Sequence, residues 1–370
     1  MPMVKGFRAA AVCAGLKKNG KKDLALIVSD TPAAAAGVFT QNRVQAAPVL
    51  LDKQRIAGGV CQAVIVNSGN ANCCTGDQGM EDARAMTRLA AEVIDADDAH
   101  VMAASTGVIG QPLNMEKIRA AVPGLAGGLS PDGFEAAAAA IMTTDTRPKL
   151  VSGQGQMGGK TYSLAAMAKG SGMIRPDMAT MLCFVCTDLQ IAAADLHQAL
   201  VSANEASFNR ITIDGDTSTN DTVLVLANGR SGARAKTPAD LRAFAELLEN
   251  VLGKLARMIV EDGEGATKCV EISVINAETR EHARQMADTV ANSSLVKTAF
   301  FGEDANWGRI MAALGRAGVK FDPQAVDIWF DDVKMVEKGM GCGDAAEAAA
   351  TAVLRKKTFA VTIDVKSGRQ

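Results

Sequence analysis

The sequence predicts a mixed α/β fold, on three observations. Of 370 residues, 48% are hydrophobic, short apolar runs close on polar turns, and stretches with helical spacing lie between the runs. A chain this long and apolar buries a sizeable core, enough for one large domain or two ordinary ones. Leu24 to Val28 and Ala63 to Val66 are the clearest strand candidates, each followed by turn residues. Residues 80 to 95 put Ala83, Met86, Leu89, Ala90 and Val93 on one helical face. Ser130, Pro131 and Asp132 read as a capping serine with proline just inside a helix that runs through Ala136 to Met142. Thr237 and Pro238 repeat that signal before a longer helix with Leu241, Phe244, Leu248, Leu252, Leu255 and Ile259 at 3-to-4 spacing. No fixed-period repeat, low-complexity tract or long Pro/Ser-rich linker divides the chain.

Composition narrows the function. Lys plus Arg is 39 against 41 for Asp plus Glu, and the net charge of -2 lacks the basic field that a nucleic-acid partner needs. Aromatic residues are only 4%, so stacking platforms for bases are scarce. No stretch approaches the roughly 18 consecutive apolar residues of a membrane span. The first residues show no signal-peptide pattern, so the expected location is the cytoplasm, away from membranes. Reduced thiols are expected for the eight cysteines. Cys183 and Cys186 have CxxC spacing, but neither a second pair nor a nearby histidine completes a zinc set, and no metal is expected. Histidine occurs only at 100, 197 and 282, which leaves a very small pool for a Ser-His or Cys-His site.

Six clusters of Gly, Thr, Asn, Ser and Asp interrupt the apolar runs, at 66–72, 105–110, 142–146, 169–174, 214–221 and 261–268. Turn chemistry accounts for such residues one cluster at a time. Six clusters so rich in hydroxyls exceed what turns alone require. The most informative segment runs from Lys169 to Leu182, where a glycine-rich loop and Pro176 lead to Thr180 at the mouth of an apolar run. A hydroxyl there is placed to be a nucleophile, and with so few histidines its base can be the α-amine that a cut before Thr180 would create. That amine has a pKa near roughly 8, so a useful neutral fraction exists at physiological pH. Spacing alone favours a strand-start threonine bonded to backbone over a nucleophile.

These segments resemble the glutamate N-acetyltransferase/ornithine acetyltransferase family of arginine biosynthesis. The resemblance is carried by Phe39 to Val49, Asn67 to Asn72, Ser105 to Gly110, Lys169 to Leu182, Ser207 to Asn209, Asp214 to Asp221, Asp262 to Lys268, Lys297 to Gly302 and Asn306 to Arg309. It implies a layered αββα sandwich of the autoprocessed N-terminal-nucleophile type. It also implies self-cleavage between Ala179 and Thr180, giving an α chain of residues 1 to 179 and a β chain of 180 to 370 packed as one unit. By the same resemblance Thr180 is the nucleophile, Thr106 and Gly107 form the oxyanion hole, and Thr143, Lys169, Thr180 and Glu264 bind substrate, with Thr144 as the neighbouring alternative to Thr143. The implied reaction moves an acetyl group from N2-acetylornithine to glutamate, with acetyl-CoA as a possible second donor. No metal or prosthetic group is implied, and two αβ units are expected to form an α2β2 particle.

The sequence departs from the family's pattern in two places. Asp177 stands where the family more often has Asn. Beyond the strand matching Phe359 to Asp364, family members continue to an Asn and a final Thr that bind substrate, whereas this sequence ends at Gln370. Two further readings therefore stand beside the transferase: an N-terminal-nucleophile amidohydrolase or aminopeptidase, and an inactive remnant that keeps the fold.

Overall fold

The computed structural model describes residues 3–175 and 181–368. The chain divides into two compact units, with the boundary between Glu264 and Gly265.

The first unit is built from β1 (Phe7–Val12), β2 (Leu24–Phe39), α1 (Ala47–Arg55), β3 (Val60–Asn70), α2 (Gly76–Ile94), β4 (Val101–Val108), α3 (Met115–Gly127), α4 (Phe134–Ala140), β5 (Lys149–Met157), β6 (Lys160–Lys169), β7 (Leu182–Thr187), α5 (Ala193–Ala206), β8 (Thr222–Ala227) and α6 (Pro238–Glu261). Among the described residues its strands form one eight-stranded sheet in the order β4-β3-β2-β8-β7-β6-β5, with β1 also paired to β2. The long strand β2 joins the two halves. Leu24 to Val28 pair with β3, Ala34 to Phe39 pair with β8, and the β3 register shifts between Val28 and Ala33. Such a shift bends a strand.

Alternation along the strands then makes three cores. Leu24, Leu26, Ala63, Ile65, Val101 and Ala103 face outward onto α2 and α3. Leu164, Ala166, Cys183, Val185, Val223 and Val225 face outward onto α5 and α6, where Phe244, Leu248 and Leu252 close the layer. Ala25, Ile27, Val64, Val66, Met102, Met167, Phe184, Leu224 and Leu226 share one inner core. Helices contribute little to that core, mainly the short α4 with Ala46 and Val49 beside it, so the two halves of the sheet cover each other. The layers are helix, sheet, sheet, helix. The αββα expectation holds within this unit.

The second unit contains β9 (Cys269–Ile275), α7 (Arg280–Ala291), α8 (Ser294–Phe301), α9 (Trp307–Gly315), β10 (Asp327–Phe330), β11 (Val333–Glu337), β12 (Met340–Gly341), α10 (Asp344–Leu354) and β13 (Thr358–Asp364). Its sheet has the order β12-β11-β10-β13-β9, and β9 and β13 run parallel. Phe300 meets Phe330 and Phe359 edge-on, at 6.4 and 5.4 Å between ring centres, in this unit's own core.

The local expectations fare unevenly. Thr237 caps α6 as expected, accepting from the Asp240 amide while Asp240 accepts from the Thr237 amide, a capping box. The helix expected from 80 to 95 begins at Gly76, with Ala83, Met86 and Ala90 buried. Ser130 does not cap a helix. Its backbone exchanges two hydrogen bonds with Ala9, its hydroxyl accepts from the Asp132 amide, and α4 starts only at Phe134. A strand partner distant in sequence overrides the local signal there. Cys183 and Cys186 are buried on opposite faces of β7, where burial pushes both thiols up, so they cannot share a ligand. Among the described residues no helix is long and apolar enough to cross a membrane.

Candidate active site

The polar clusters of the first unit meet where β3, β4 and β6 end and β7 and β8 begin. β3 and β4 run parallel with Asn67 opposite Ser105, Ser68 opposite Thr106 and Gly69 opposite Gly107. Gly107 has φ of 136°, and a Cβ there would lie 2.4 Å from the Gly69 carbonyl carbon and 2.5 Å from the Asn70 nitrogen. Both the backbone angle and the close approach require glycine. Gly107→Ala is expected to destabilise the protein by about 1–3 kcal/mol and to depress turnover, because Thr106 must move with it. A urea midpoint and a transfer rate measured on the same sample check both effects.

On the other side, Lys169 ends β6 opposite Leu182 of β7, and Leu182 lies opposite Thr222 of β8. Lys169 is 3% exposed, and its Nζ donates to Thr106 Oγ1 at 3.2 Å. Burial holds its pKa down, Asp145 and Asp221 act to raise it, and Lys149 adds to the lowering. A hydroxyl that accepts from an ammonium turns its own proton away from that ammonium, which makes Thr106 a donor toward a third group. A hydroxyl donor beside the Gly107 turn is the chemistry an oxyanion requires. Around Thr106 the backbone is pinned by side chains: Ser105 Oγ donates to Asn67 Oδ1 at 2.6 Å, and Asn220 Nδ2 donates to the carbonyls of Ser105 and Ala71 at 2.8 and 2.7 Å.

A buried charge cluster ties the remaining predicted residues to this point. Lys149, with no exposed surface, donates to Asp145 Oδ1 at 2.7 Å and Asp262 Oδ2 at 2.6 Å. The Thr143 amide donates to Asp145 Oδ2 at 3.0 Å and the Gly170 amide to Asp145 Oδ1 at 2.7 Å. Asp262 accepts from the amide and the hydroxyl of Thr146, and its carbonyl accepts from Ser171 Oγ at 2.8 Å. The Glu264 amide donates to the Ser171 carbonyl, and the exposed Glu264 carboxylate lies against Gly172, where a Cβ would meet Oε2 at 2.8 Å. Burial works to raise the Asp145 pKa, but Lys169, Lys149 and the Gly170 amide outweigh it and hold the carboxyl below its usual range. Asp262 is also lowered, because Lys149 and Thr146 outweigh its burial.

The structure thus joins Thr106, Gly107, Lys169, Thr143 and Glu264 through a continuous set of hydrogen bonds and chain contacts. Thr143 and Thr144 are both exposed, and it is the Thr143 amide that Asp145 holds. Ala179, Thr180 and Asp177 lie outside the described residues. The sequence reading did not single out Asp145, Lys149, Asp262 or Asp221. Asp145, Asp221 and Asp262 sat inside the polar clusters and carried that much signal, but Lys149, in a stretch resembling any strand start, carried none.

The layered scaffold, with a buried lysine held against a strand-end threonine, has the polar, buried arrangement of an enzyme site. The comparisons with known proteins place it more closely: the family model described as "ArgJ family" matches residues 8–370, and the chain belongs to that family. The "Arginine biosynthesis bifunctional protein ArgJ" of Geobacter sulfurreducens is 55% identical, covering 99% of this chain and 93% of its own length. The protein of the same name from Symbiobacterium thermophilum is 53% identical over 98% of this chain and 91% of its own. Among solved structures, the ornithine acetyltransferase of Mycobacterium tuberculosis complexed with ornithine is 40% identical across 47% of this chain and 92% of that chain, with a TM-score of 0.43.

Proposed function

We propose that this protein is a glutamate N-acetyltransferase of arginine biosynthesis, moving the acetyl group of N2-acetylornithine to glutamate through an acetyl ester on Thr180. The observation that carries the reading is the buried Lys169–Thr106 contact at 3.2 Å, at the strand end where Gly107 turns. It supplies an oriented donor for the oxyanion in a chain of this family.

The chain first cuts itself between Ala179 and Thr180. Residues on either side of the cut remain in one sheet, since β6 pairs with β7 and β2 with β8, and this supports an α chain (1–179) and a β chain (180–370) packed together. The new α-amine of Thr180 takes the hydroxyl proton as the oxygen attacks the acetyl carbonyl. Negative charge develops on the carbonyl oxygen and is met by the Thr106 hydroxyl and the Gly107 amide. Ornithine leaves with the proton, and glutamate's amine then attacks the ester to give N-acetylglutamate and free Thr180. Lys169 serves a substrate carboxylate, Glu264 a substrate ammonium, and Thr143 orients the ligand beside them. Acetyl-CoA serves as an alternative donor, in keeping with the bifunctional name of the relatives. No metal or prosthetic group takes part, two αβ units associate as α2β2, and the enzyme works in the cytoplasm.

The test is acetyl transfer followed by mass. Incubation with N-acetylornithine alone should leave one acetyl group on the fragment that begins at Thr180, and added glutamate should discharge it with parallel-line, ping-pong kinetics. Free acetate in place of N-acetylglutamate would show a hydrolase instead, and the absence of any acetyl-enzyme would remove the mechanism.

A further inference from the structure

We propose that Asp221 is a positioning residue of the reaction: its carboxyl holds the amide that follows Thr180 and thereby sets the geometry of attack in both self-cleavage and acetyl transfer. The inference rests on the reading of Thr180 as nucleophile. Asp221 has no exposed surface and immediately precedes β8, and its Oδ1 accepts the Met181 amide at 2.9 Å. The backbone reinforces this grip, because the Thr222 amide donates to the Met181 carbonyl at 3.1 Å and the Thr40 amide donates to the Asp221 carbonyl at 3.0 Å. Met181 is therefore held on both its polar backbone atoms by two successive residues.

The grip on Met181 uses one carboxyl oxygen only. Asp221 Oδ2 is buried and has no hydrogen-bond partner among the described residues. The nearby Thr40 hydroxyl gives its proton to the Ser218 carbonyl at 2.6 Å. Burial drives the Asp221 carboxyl well above the usual range against the pull of the Met181 amide, Lys169 and the nearby Thr40 and Ser218 hydroxyls. An oxygen of the carboxyl accepts from the amide in either protonation state, and the amide of asparagine supplies the same acceptor in the same place.

The experiment compares Asp221→Asn, Asp221→Ala and Asp221→Glu in the full chain, following the rate of self-cleavage by mass and the kcat and KM of the cleaved enzyme. Asp221→Asn should keep cleavage and kcat within about threefold of the parent. Asp221→Ala should slow both by about a hundredfold, the scale of a misplacement of about 1 Å, with KM within about threefold, because the substrate contacts lie on other residues. Asp221→Glu keeps the acid but moves the acceptor, and should lose cleavage as the alanine variant does. The proposal is overturned if Asp221→Asn is as slow as Asp221→Ala, or if a folded Asp221→Ala variant keeps parental rates. If the alanine and glutamate variants do not fold, the asparagine variant alone decides, by keeping or losing the parental rate. A parent chain that cleaves but does not transfer acetyl to glutamate refutes the functional reading and leaves the comparison of cleavage rates intact. A parent that does not cleave refutes the nucleophile reading and the present inference with it.

Discussion

Thr180→Ala is expected to yield one uncut chain of 370 residues, with acetyl transfer lowered about a thousandfold or more. The hydroxyl does two jobs in the proposed mechanism. It attacks the Ala179 carbonyl once, and it carries the acetyl group in every later turnover. Removing it therefore abolishes cleavage and catalysis together, and prevents the α-amine base from forming at all. Thr180→Ser keeps the hydroxyl and should still cut, which separates loss of the nucleophile from loss of the fold. The intact mass under denaturing conditions reads cleavage, and an assay for N-acetylglutamate reads transfer. A Thr180→Ala sample that still breaks at Ala179/Thr180 would rule out Thr180 as the attacking group.

The second large effect is expected at Lys149→Met. Lys149 sits fully buried between Asp145 and Asp262, and its loss leaves two buried carboxylates without their shared cation. Breaking such an arrangement on one side costs about 3–5 kcal/mol, whereas the intact arrangement adds little over a packed apolar one. The pH dependence has a definite sign. Asp145 and Asp262 both have lowered folded-state pKa values, so the stability they contribute is present above the unfolded carboxylate value near roughly 4 and is lost as pH falls through the folded values. The deficit of Lys149→Met should therefore be largest at neutral pH and shrink toward pH 4, where protonation neutralises the stranded carboxylates. Urea midpoints at a fixed protein concentration, taken across that range, measure it. Further replacement of Asp145 and Asp262 by Asn should recover part of the loss at neutral pH. A deficit independent of pH would mean that packing, and not charge, is what Lys149 provides. The same cluster holds the Thr143 and Gly170 amides, so KM should rise with the instability.

Much of this protein was legible in order along the chain. The strands over 24–28 and 63–66, the helix capped at Thr237, and the polar clusters around Thr106, Lys169 and Glu264 all follow from residue type and period. Those signals are local: a cap or an alternating strand is stabilised by neighbours a few residues away. Family resemblance added the candidate roles of Thr180, Thr106, Gly107, Thr143, Lys169 and Glu264, with their spacing in the chain as its only geometry.

Only the tertiary structure decided which clusters meet. Lys169 reaches Thr106 because β6 and β4 end at the same place in a sheet bent across β2, although 63 residues separate them. Lys149 joins Asp145 to Asp262 across 113 residues because α6 packs on β5, and Asp221 reaches Met181 across 40 because β7 pairs with β8, and no local pattern encodes either contact. The same long-range pairing took Ser130 away from the helix its sequence signalled and gave it to Ala9. The sequence by itself determined the kinds of elements and the chemistry available to them, because propensity and capping act over a few residues. The site's partners, burial and charge balance were decided by the fold, because burial of a charged group is favourable only once a distant opposite charge or donor has been brought beside it.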